Sequence, residues 1–292
     1  MALDLKTYEV ETKPDWCPGC GDFGVLAGLK QALADLELHP HEVLVVSGIG
    51  CSSNLPGFIK AYGYHSLHGR SLPVAQGAKL ANKDLTVVAT GGDGDGYGIG
   101  VGHFVHACRR NIDMTYVVMD NQIYGLTTGQ TSPTSMKGFV TKTAPGPDGN
   151  IELPINPIGL ALAAGATFVA RAFSGDPKHM TEMIALGIKH KGFSLIDVFS
   201  PCVTYNKVNT YQYFRPKVYN IQKEGHDQKD FGKAMEKAGE WGDRIPIGLF
   251  YEAPEGPSYG ELDSVISKLG NMVKQPLQPK KETMNALLEA FV

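Results

Sequence analysis

Short apolar runs alternate with segments of helical period through the first two thirds of the chain. The apolar runs are shorter than typical helices, and several end in Gly, Asp or Asn, which is typical of buried strands. These runs predict strands at 42–48, 84–93, 113–121, 166–172 and 193–200. Apolar positions three and four apart predict helices at 23–38, 74–82, 97–111 and 177–191, and Asp22 is placed to cap the first of them.

This alternation predicts an α/β fold with a mainly parallel sheet and helices on both faces. Ligands in such folds bind beyond the carboxyl ends of the strands. Glycine and polar residues are concentrated at three predicted strand ends, which are 47–51, 91–96 and 120–129. We therefore expect a ligand site at this edge of the sheet.

The pattern changes after Cys202, where mixed charge, several prolines and weaker periodicity begin. Within this part the sequence predicts a strand at 245–252 and helices at 227–240 and 258–273. We interpret 1–205 as the main domain. Residues 206–292 are then a C-terminal extension that packs on the main domain or on a partner subunit.

Composition excludes several classes of protein. A net charge of −3 with 20 % charged residues does not indicate a basic surface that binds nucleic acid. The N-terminal residues lack the apolar segment of a signal peptide, and the longest uncharged stretch, 153–170, is interrupted by Pro and Gly. Five cysteines are too few, and odd in number, for a secreted disulfide framework. We expect a cytoplasmic protein that binds neither membranes nor nucleic acid.

The strongest chemical signal is the string TGGDGDGYGIG at 90–100, followed by VVMDNQIYGLTTGQTSPT at 117–134. Asp93 and Asn121 end consecutive predicted strands, so their side-chain oxygens can meet on one Mg²⁺, with the Ile123 carbonyl as a further ligand. Gly92, Gly94 and Gly125 would let backbone N–H groups approach a pyrophosphate. The spacing matches neither a Rossmann nor a Walker loop.

Four of the cysteines fall near predicted strand ends or turns, and they are Cys17, Cys20, Cys51 and Cys202. Cysteine chemistry alone leaves a dithiol redox pair, a structural zinc ion and a [4Fe–4S] cluster open. Cys108 lies within a predicted helix, where a buried apolar role is expected. His103 and His106 are three residues apart on that helix, and we interpret them as surface or packing residues.

Several strings together resemble the β subunit of 2-oxoacid:ferredoxin oxidoreductases. They are WCPGCGD, GIGCSSNLPG, HSLHGR, GGDGDGYGIG, DNQIYGLTTGQTSPT and SPC, and the resemblance spans 16–206. It implies thiamine diphosphate held through Mg²⁺ by Asp93, Asn121 and the Ile123 carbonyl. It also implies a [4Fe–4S] cluster bound by Cys17, Cys20, Cys51 and Cys202.

The resemblance also implies a set of cofactor contacts. We expect Ser52 and His68 to act at the reacting centre, and Thr127 to donate its hydroxyl or backbone N–H to the diphosphate. For Arg70 we expect a salt bridge at the surface or with a partner, rather than a contact with a substrate carboxylate. The residues predicted to bind the cofactor are Ile49, Gly50, Cys51, Ser52, His68, Gly92, Asp93, Gly94, Asp95, Asn121, Ile123, Gly125, Leu126 and Thr127.

The activity implied is reversible oxidative decarboxylation of a 2-oxoacid to acyl-CoA and CO₂, with electrons passing one at a time through the cluster to ferredoxin. The CPGCGD string favours 2-oxoglutarate over pyruvate or a broad range of 2-oxoacids. A separate α subunit would supply the pyrimidine-binding domain and the activating glutamate, in an αβ or (αβ)₂ assembly. Two rival interpretations are a non-oxidative thiamine diphosphate decarboxylase or synthase with structural zinc, and a non-catalytic scaffold subunit that binds zinc.

Overall fold

The computed structural model describes residues 3–276, 278 and 280–291. Residues 1, 2, 277, 279 and 292, which belong to the predicted domains 1–205 and 206–292, lie outside the described residues. The strands are β1 (Val43–Ser47), β2 (Tyr62–His65), β3 (Thr86–Gly92), β4 (Met114–Asp120), β5 (Phe168–Phe173), β6 (Phe193–Phe199), β7 (Val218–Asn220) and β8 (Ile245–Glu252).

The α-helices are α1 (Gly21–Asp35), α2 (Ser71–Ala81), α3 (Val101–Arg110), α4 (Pro157–Ala163), α5 (Pro177–Lys189), α6 (Tyr211–Phe214), α7 (Phe231–Ala238), α8 (Tyr259–Leu262), α9 (Ile266–Leu269) and α10 (Lys281–Glu289). The 3-10 helices cover Leu5–Tyr8, Pro40–Glu42, Cys51–Phe58, Gln222–Glu224 and Met272–Lys274. A π-helical turn covers Gly94–Ile99.

Within the described residues, the strands form one sheet in the order β2-β1-β3-β4-β6-β5-β8-β7. Strands β1 to β6 pair in parallel, and β8 runs antiparallel to β5. Alternate residues of β4 point to opposite faces, so Val117 packs with α1 and α5, whereas Tyr116 packs with α2, α3 and α4. The prediction of a mainly parallel sheet covered on both faces is therefore confirmed.

The topology brings the predicted site together. Strands β1, β3, β4 and β6 are neighbours in the sheet, and their carboxyl ends lie at one edge. The segments that follow these strands carry Cys51, Asp93, Asn121 and Cys202. Four residues that are far apart in the chain thus arrive at the same edge, because each crossover connection returns the next strand in the same direction.

The start of α1 differs from the prediction. The helix begins at Gly21 with Cys20 at the N-cap, so Asp22 does not cap it. Asp22 is instead buried and accepts a 2.6 Å hydrogen bond from the Ser200 hydroxyl. Gly21 packs so closely on Ser200 that a Cβ at position 21 would lie 2.4 Å from that hydroxyl oxygen. The local sequence does not reveal this contact, which packs the first residue of the helix against Ser200 at the end of β6.

Other differences are local. The predicted helix 97–111 begins as an α-helix only at residue 101, because the glycine-rich turn before it is π-helical. The predicted helix 258–273 is wrong, since α8 and α9 are four residues each with a turn between them. Strand β2 was not predicted, because its exposed YGYH sequence lacks a buried apolar run. Strand 245–252 is confirmed as β8, and the helix predicted at 227–240 is shorter, at 231–238.

Part of the predicted extension belongs to the sheet. Strand β8 pairs with β5, and β7 pairs with β8, so residues 218–220 and 245–252 continue the sheet of the main domain. The domain boundary at 205 stays a prediction. No helix among the described residues is long and apolar enough to cross a membrane.

Candidate active site

A cavity of about 150 Å³ lies at the carboxyl ends of β1, β3 and β4. Every residue predicted to contact the cofactor lines this cavity. The lining residues are Ile49, Gly50, Cys51, Ser52, His68, Gly92, Asp93, Gly94, Asp95, Asn121, Ile123, Tyr124, Gly125, Leu126 and Thr127. Of these, Tyr124 was not predicted.

Asp93 is a buried carboxylate that lines this cavity, with 1 % of its surface exposed. Its Oδ2 accepts a 2.5 Å hydrogen bond from the Thr134 hydroxyl, and the same hydroxyl lies 3.0 Å from Asp120 Oδ1. Burial raises the pKa of Asp93 to about 6, because the ionised carboxylate has lost its water. A divalent cation would offset that loss, so this carboxylate suits a metal ligand.

Asn121 and Ile123 line the same cavity. The Asn121 Oδ1 accepts a 3.0 Å hydrogen bond from the Ile123 N–H, which leaves a second lone pair on this oxygen for a cation. The Asn121 carbonyl accepts a 3.0 Å hydrogen bond from Asn206 Nδ2. Between them, Gln122 has a φ of +58°, the left-handed turn that returns the chain toward the cavity. The donor set is oxygen only, as Mg²⁺ requires.

Glycines bring backbone close to this site. A Cβ at Gly94 would lie 2.2 Å from the Tyr124 ring, and the Tyr124 hydroxyl donates a 2.9 Å hydrogen bond to the Gly94 carbonyl. The Ser52 hydroxyl lies 3.3 Å from the position of a Cβ at Gly92. The Thr127 hydroxyl donates to Gln130 Oε1 at 2.6 Å, so of the two donors predicted at Thr127 the hydroxyl is already in use.

Asp95 connects two loops at the cavity. It was predicted to contact the cofactor, and it does line the cavity, yet its Oδ1 accepts the backbone N–H groups of Ile49 at 2.9 Å and Gly69 at 2.7 Å. The His68 Nδ1 lies 2.8 Å from the same oxygen. Arg70 is exposed at the N-cap of α2 and does not line the cavity.

A second cavity of about 210 Å³ adjoins the first. All four predicted cluster ligands line it, namely Cys17, Cys20, Cys51 and Cys202. A Cβ at Gly125 would lie 3.6 Å from the sulfur atoms of both Cys51 and Cys202, so this glycine leaves the space between them open. Cys108 is buried in the core on α3, as predicted, and His103 and His106 lie on the outer part of that helix.

The thiols are close enough to affect one another. Burial is the main cause that raises the pKa of Cys51 to about 11, and the negative charge of Asp22 and then those of Cys202 and Cys17 raise it further. Burial likewise raises the pKa of Cys20. Because burial makes the thiolate form unfavourable here, the thiolates need a nearby cation to form. The residues therefore fit an iron–sulfur or zinc centre.

The four cysteines differ in exposure to solvent. Cys17 is exposed, Cys20 and Cys51 are half-buried, and Cys202 is buried. The Tyr205 N–H donates a 3.5 Å hydrogen bond to the Cys202 sulfur.

Sequence reasoning missed several residues that support this site. Thr134 and Tyr124 lie inside the quoted string 117–134, but nothing in their type separates them from turn residues. Trp16 donates its indole N–H to the Cys51 carbonyl, and Asn206 ends the stretch covered by the resemblance. The contacts of Trp16 with Cys51 and of Asn206 with Asn121 join segments that are far apart in the chain, so they are apparent only in the folded structure.

Comparisons with known proteins agree with this geometry. A family model described as the thiamine pyrophosphate enzyme C-terminal TPP binding domain matches residues 48–198. A second model, which describes the C-terminal part of the pyruvate ferredoxin oxidoreductase beta chain, matches residues 202–268.

Among curated proteins, the 2-oxoacid:ferredoxin oxidoreductase 1 subunit beta of Aeropyrum pernix is 46 % identical over 88 % of this chain and 83 % of its own length. The corresponding beta subunit of Saccharolobus solfataricus is 51 % identical over 82 % of this chain and 81 % of its own length.

A solved structure is similar over nearly the whole chain. It is the 2-oxoglutarate:ferredoxin oxidoreductase from Magnetococcus marinus with 2-oxoglutarate, coenzyme A and succinyl-CoA bound. The identity is 43 %, the TM-score is 0.88, and the match covers 98 % of this chain and 96 % of that one. The chain therefore carries a thiamine diphosphate-binding domain and belongs to the beta subunits of the 2-oxoacid:ferredoxin oxidoreductases.

Proposed function

We propose that this chain is the β subunit of an enzyme that oxidatively decarboxylates 2-oxoglutarate to an acyl-CoA and CO₂, in a reversible reaction with ferredoxin as electron acceptor. The observation that carries the proposal is that the two cavities share a wall. Cys51, Asn121, Gly125 and Leu126 line both of them. The site that we propose to release electrons and the site that we propose to accept them would thus be separated by one layer of residues.

Thiamine diphosphate, when bound, supplies the electron sink for loss of CO₂. On this chain, Asp93, Asn121 and the Ile123 carbonyl would hold its Mg²⁺. Thr134 holds the Asp93 carboxylate in place, and the close backbone at Gly94 leaves room for a diphosphate. Ser52 and His68 line the same cavity, and we assign them to the reacting centre.

The four cysteines of the second cavity would bind a [4Fe–4S] cluster. Zinc is redox-inactive in proteins, whereas a cluster bound by four thiolates can accept and release single electrons. The proposed reaction releases electrons, so we assign the four cysteines to a cluster rather than to zinc. Exposed Cys17 marks the side from which ferredoxin would take electrons.

The cofactor cavity is open on the side where a partner would close it. Apolar side chains at and near its mouth are exposed, with Ile49 at 37 %, Leu126 at 56 % and Leu67 at 75 %. Apolar groups of this exposure around a polar cavity favour burial by another protein. We propose that the α subunit docks here and brings the pyrimidine-binding domain and its glutamate, in an αβ or (αβ)₂ assembly.

The substrate is proposed from similarity. Besides the Magnetococcus marinus structure, the 2-oxoglutarate oxidoreductase subunit KorB of Mycobacterium tuberculosis is 43 % identical over 69 % of this chain and 53 % of its own length. The Aeropyrum pernix and Saccharolobus solfataricus relatives are named for 2-oxoacids in general. A broad 2-oxoacid enzyme is therefore the second candidate.

The test uses the αβ complex purified without oxygen. We expect about four iron atoms per β chain and a broad visible absorbance, bound thiamine diphosphate, and ferredoxin reduction that depends on coenzyme A and is fastest with 2-oxoglutarate. Cys202→Ala should lose the iron, whereas Cys108→Ala, a matched control in the core, should keep it. Zinc in place of iron would contradict the proposal, and equal rates with pyruvate and 2-oxoglutarate would favour the broad enzyme.

A further inference from the structure

A small apolar cluster connects the walls of the two cavities. Its members are Ile123, Phe139 and Cys202, with 3 %, 8 % and 8 % of their surfaces exposed. Ile123 lines the cofactor cavity, and Cys202 lines the second cavity. Phe139 is not among the described residues that line either cavity. Its ring therefore packs behind these walls rather than inside a site.

The loop that carries Phe139 is fixed by hydrogen bonds. Gly138 and Val140 on either side of it are exposed, so Phe139 is the one residue of the three that is buried. Gly138 donates its N–H to the Asn150 carbonyl at 2.7 Å, and Asn150 donates its N–H to the Phe139 carbonyl at 2.9 Å. The buried Asn150 amide also donates to the Ser135 carbonyl at 3.1 Å. The backbone that carries the ring is thus held on both sides.

The same loop is anchored at the cofactor cavity. The Ser135 hydroxyl donates a 2.7 Å hydrogen bond to the Gln122 carbonyl, next to Ile123 in the chain. Thr134, the residue before Ser135, donates to the Asp93 carboxylate. One segment therefore supports the proposed magnesium ligand and places an aromatic ring in the apolar cluster with Cys202.

We propose that Phe139, together with Ile123, keeps water from the Cys202 side of the [4Fe–4S] cluster and so holds its reduction potential low. The inference rests on the proposed function, since it needs a cluster on the four cysteines. It goes beyond that function because it assigns a role in electron transfer to a residue that is a ligand of neither group.

The direction of the effect follows from charge. Four thiolates make such a cluster anionic, and reduction adds one more negative charge. Water and other polar groups stabilise the more highly charged form more strongly, so excluding them disfavours reduction and lowers the potential. A reduced cluster of lower potential is a stronger donor to ferredoxin. Because Cys17 is exposed, the proposed cluster would be solvated at Cys17 and sheltered at Cys202.

A matched pair of substitutions tests the proposal. Phe139→Met and Phe139→Gln introduce side chains of similar volume, of which one is apolar and the other polar. The potential is measured by redox titration of the oxygen-free αβ complex, with the electron paramagnetic resonance signal of the reduced cluster as readout. Phe139→Met should keep the wild-type potential. Phe139→Gln should raise the ratio of reduced to oxidised cluster about tenfold at a given applied potential, an upward shift of about 59 mV.

Two further variants complete the experiment. Phe139→Ala leaves room for water without adding a polar group, so it should shift the potential in the same direction, and it replaces Phe139→Gln if that variant fails to assemble. Phe104→Met is the control for stability, because Phe104 is buried on α3 and lines neither cavity. It should lower the melting temperature and leave the potential unchanged.

The outcomes separate this inference from the proposed function. A wild-type complex that contains no iron contradicts the proposed function itself. A complex with iron, in which Phe139→Gln and Phe139→Ala lower the melting temperature but not raise the potential, overturns only the role of Phe139. A shift as large in Phe139→Met as in Phe139→Gln overturns it too, since exclusion of polar groups would then not be the cause.

Discussion

The Trp16 indole N–H donates a hydrogen bond of 2.7 Å to the carbonyl oxygen of Cys51. The ring also meets Phe23 and Phe58 edge-on, at centroid distances of 5.3 and 5.1 Å. This one side chain therefore connects the N-terminal segment that carries Cys17 to the loop after β1. It holds two of the proposed cluster ligands in a fixed relation without being a ligand itself.

Trp16→Phe should loosen this relation. Phenylalanine keeps an aromatic ring but leaves the Cys51 carbonyl without its donor, at a cost of about 1 kcal/mol. We expect the visible absorbance of the cluster to be lost faster in air, with iron content unchanged when the complex is freshly isolated. Trp241→Phe is the matched control, because Trp241 packs near Arg171 and Phe199, away from the cysteines. Equal rates of bleaching in the two variants would contradict this role of Trp16.

Thr134→Val should weaken cation binding. The hydroxyl contacts the carboxylates of Asp93 and Asp120, and valine removes it at nearly constant shape. Leaving a buried carboxylate without a hydrogen-bond donor costs about 1–3 kcal/mol of free energy. We expect a lower affinity for Mg²⁺ and thiamine diphosphate, measured by calorimetry, together with a lower melting temperature.

Thr115→Val is the control for that experiment. Thr115 is equally buried and donates to the Gly187 carbonyl at 3.0 Å, far from the cavity. It should lower the melting temperature while leaving ligand affinity at the wild-type value. If both variants bind alike, Thr134 acts only on stability.

Gly94→Ala should block the diphosphate region. The added methyl would lie 2.2 Å from the Tyr124 ring, so the ring must move and the hydrogen bond from its hydroxyl to the Gly94 carbonyl is strained or lost. We expect thiamine diphosphate affinity to fall at least about tenfold. Gly102→Ala on α3, where a Cβ meets nothing within 4 Å, should instead be neutral or stabilising. Unchanged cofactor affinity in Gly94→Ala would rule out this packing role.

His190 should make the stability of the fold depend on pH. Burial is the main cause that lowers the pKa of His190, and its Nε2 lies 2.8 Å from the Thr167 hydroxyl. In the unfolded chain His190 binds a proton below about pH 6.5, whereas in the folded chain it does so only at lower pH. Stability from this group is therefore complete above about pH 6.5 and declines as the pH falls below it.

The measurement is the change in melting temperature between about pH 7.5 and about pH 5.5. His190→Gln should show a smaller fall than wild type, since glutamine does not titrate. His106→Gln, at an exposed position of α3, should retain the full fall. A fall in His190→Gln as large as in wild type would mean that other groups account for the pH dependence.

The sequence predicted the buried strands of the parallel sheet, because each of them leaves an apolar run that can be recognised without knowing its neighbours. It also placed Asp93, Asn121, Cys51 and Cys202 at or after strand ends, and parallel topology then brings these ends to one edge. What it missed depends on contacts between distant segments. Asp22 has the local pattern of a capping residue, but Gly21 packs on Ser200, and that contact decides where α1 begins.

Loops and the C-terminal part were harder for the same reason. The π-helical turn at Gly94–Ile99 exists because its glycines pack under Tyr116 and Tyr124, which are distant in sequence. The break between α8 and α9 leaves no strong signal in 258–273. Strand β2 is held by backbone pairing to β1 rather than by an apolar pattern of its own.

The dispersal of the cysteines sets a condition on biosynthesis. Cys17 and Cys20 leave the ribosome first, but Cys202 follows only after β1 to β6 have been translated. The [4Fe–4S] cluster proposed above, with this ligand set, could be inserted only into a chain whose parallel sheet has already formed. Until then the early cysteines are open to oxidation, so with the proposed cluster we expect maturation of this subunit in the presence of oxygen to be limited by the time between folding and iron delivery.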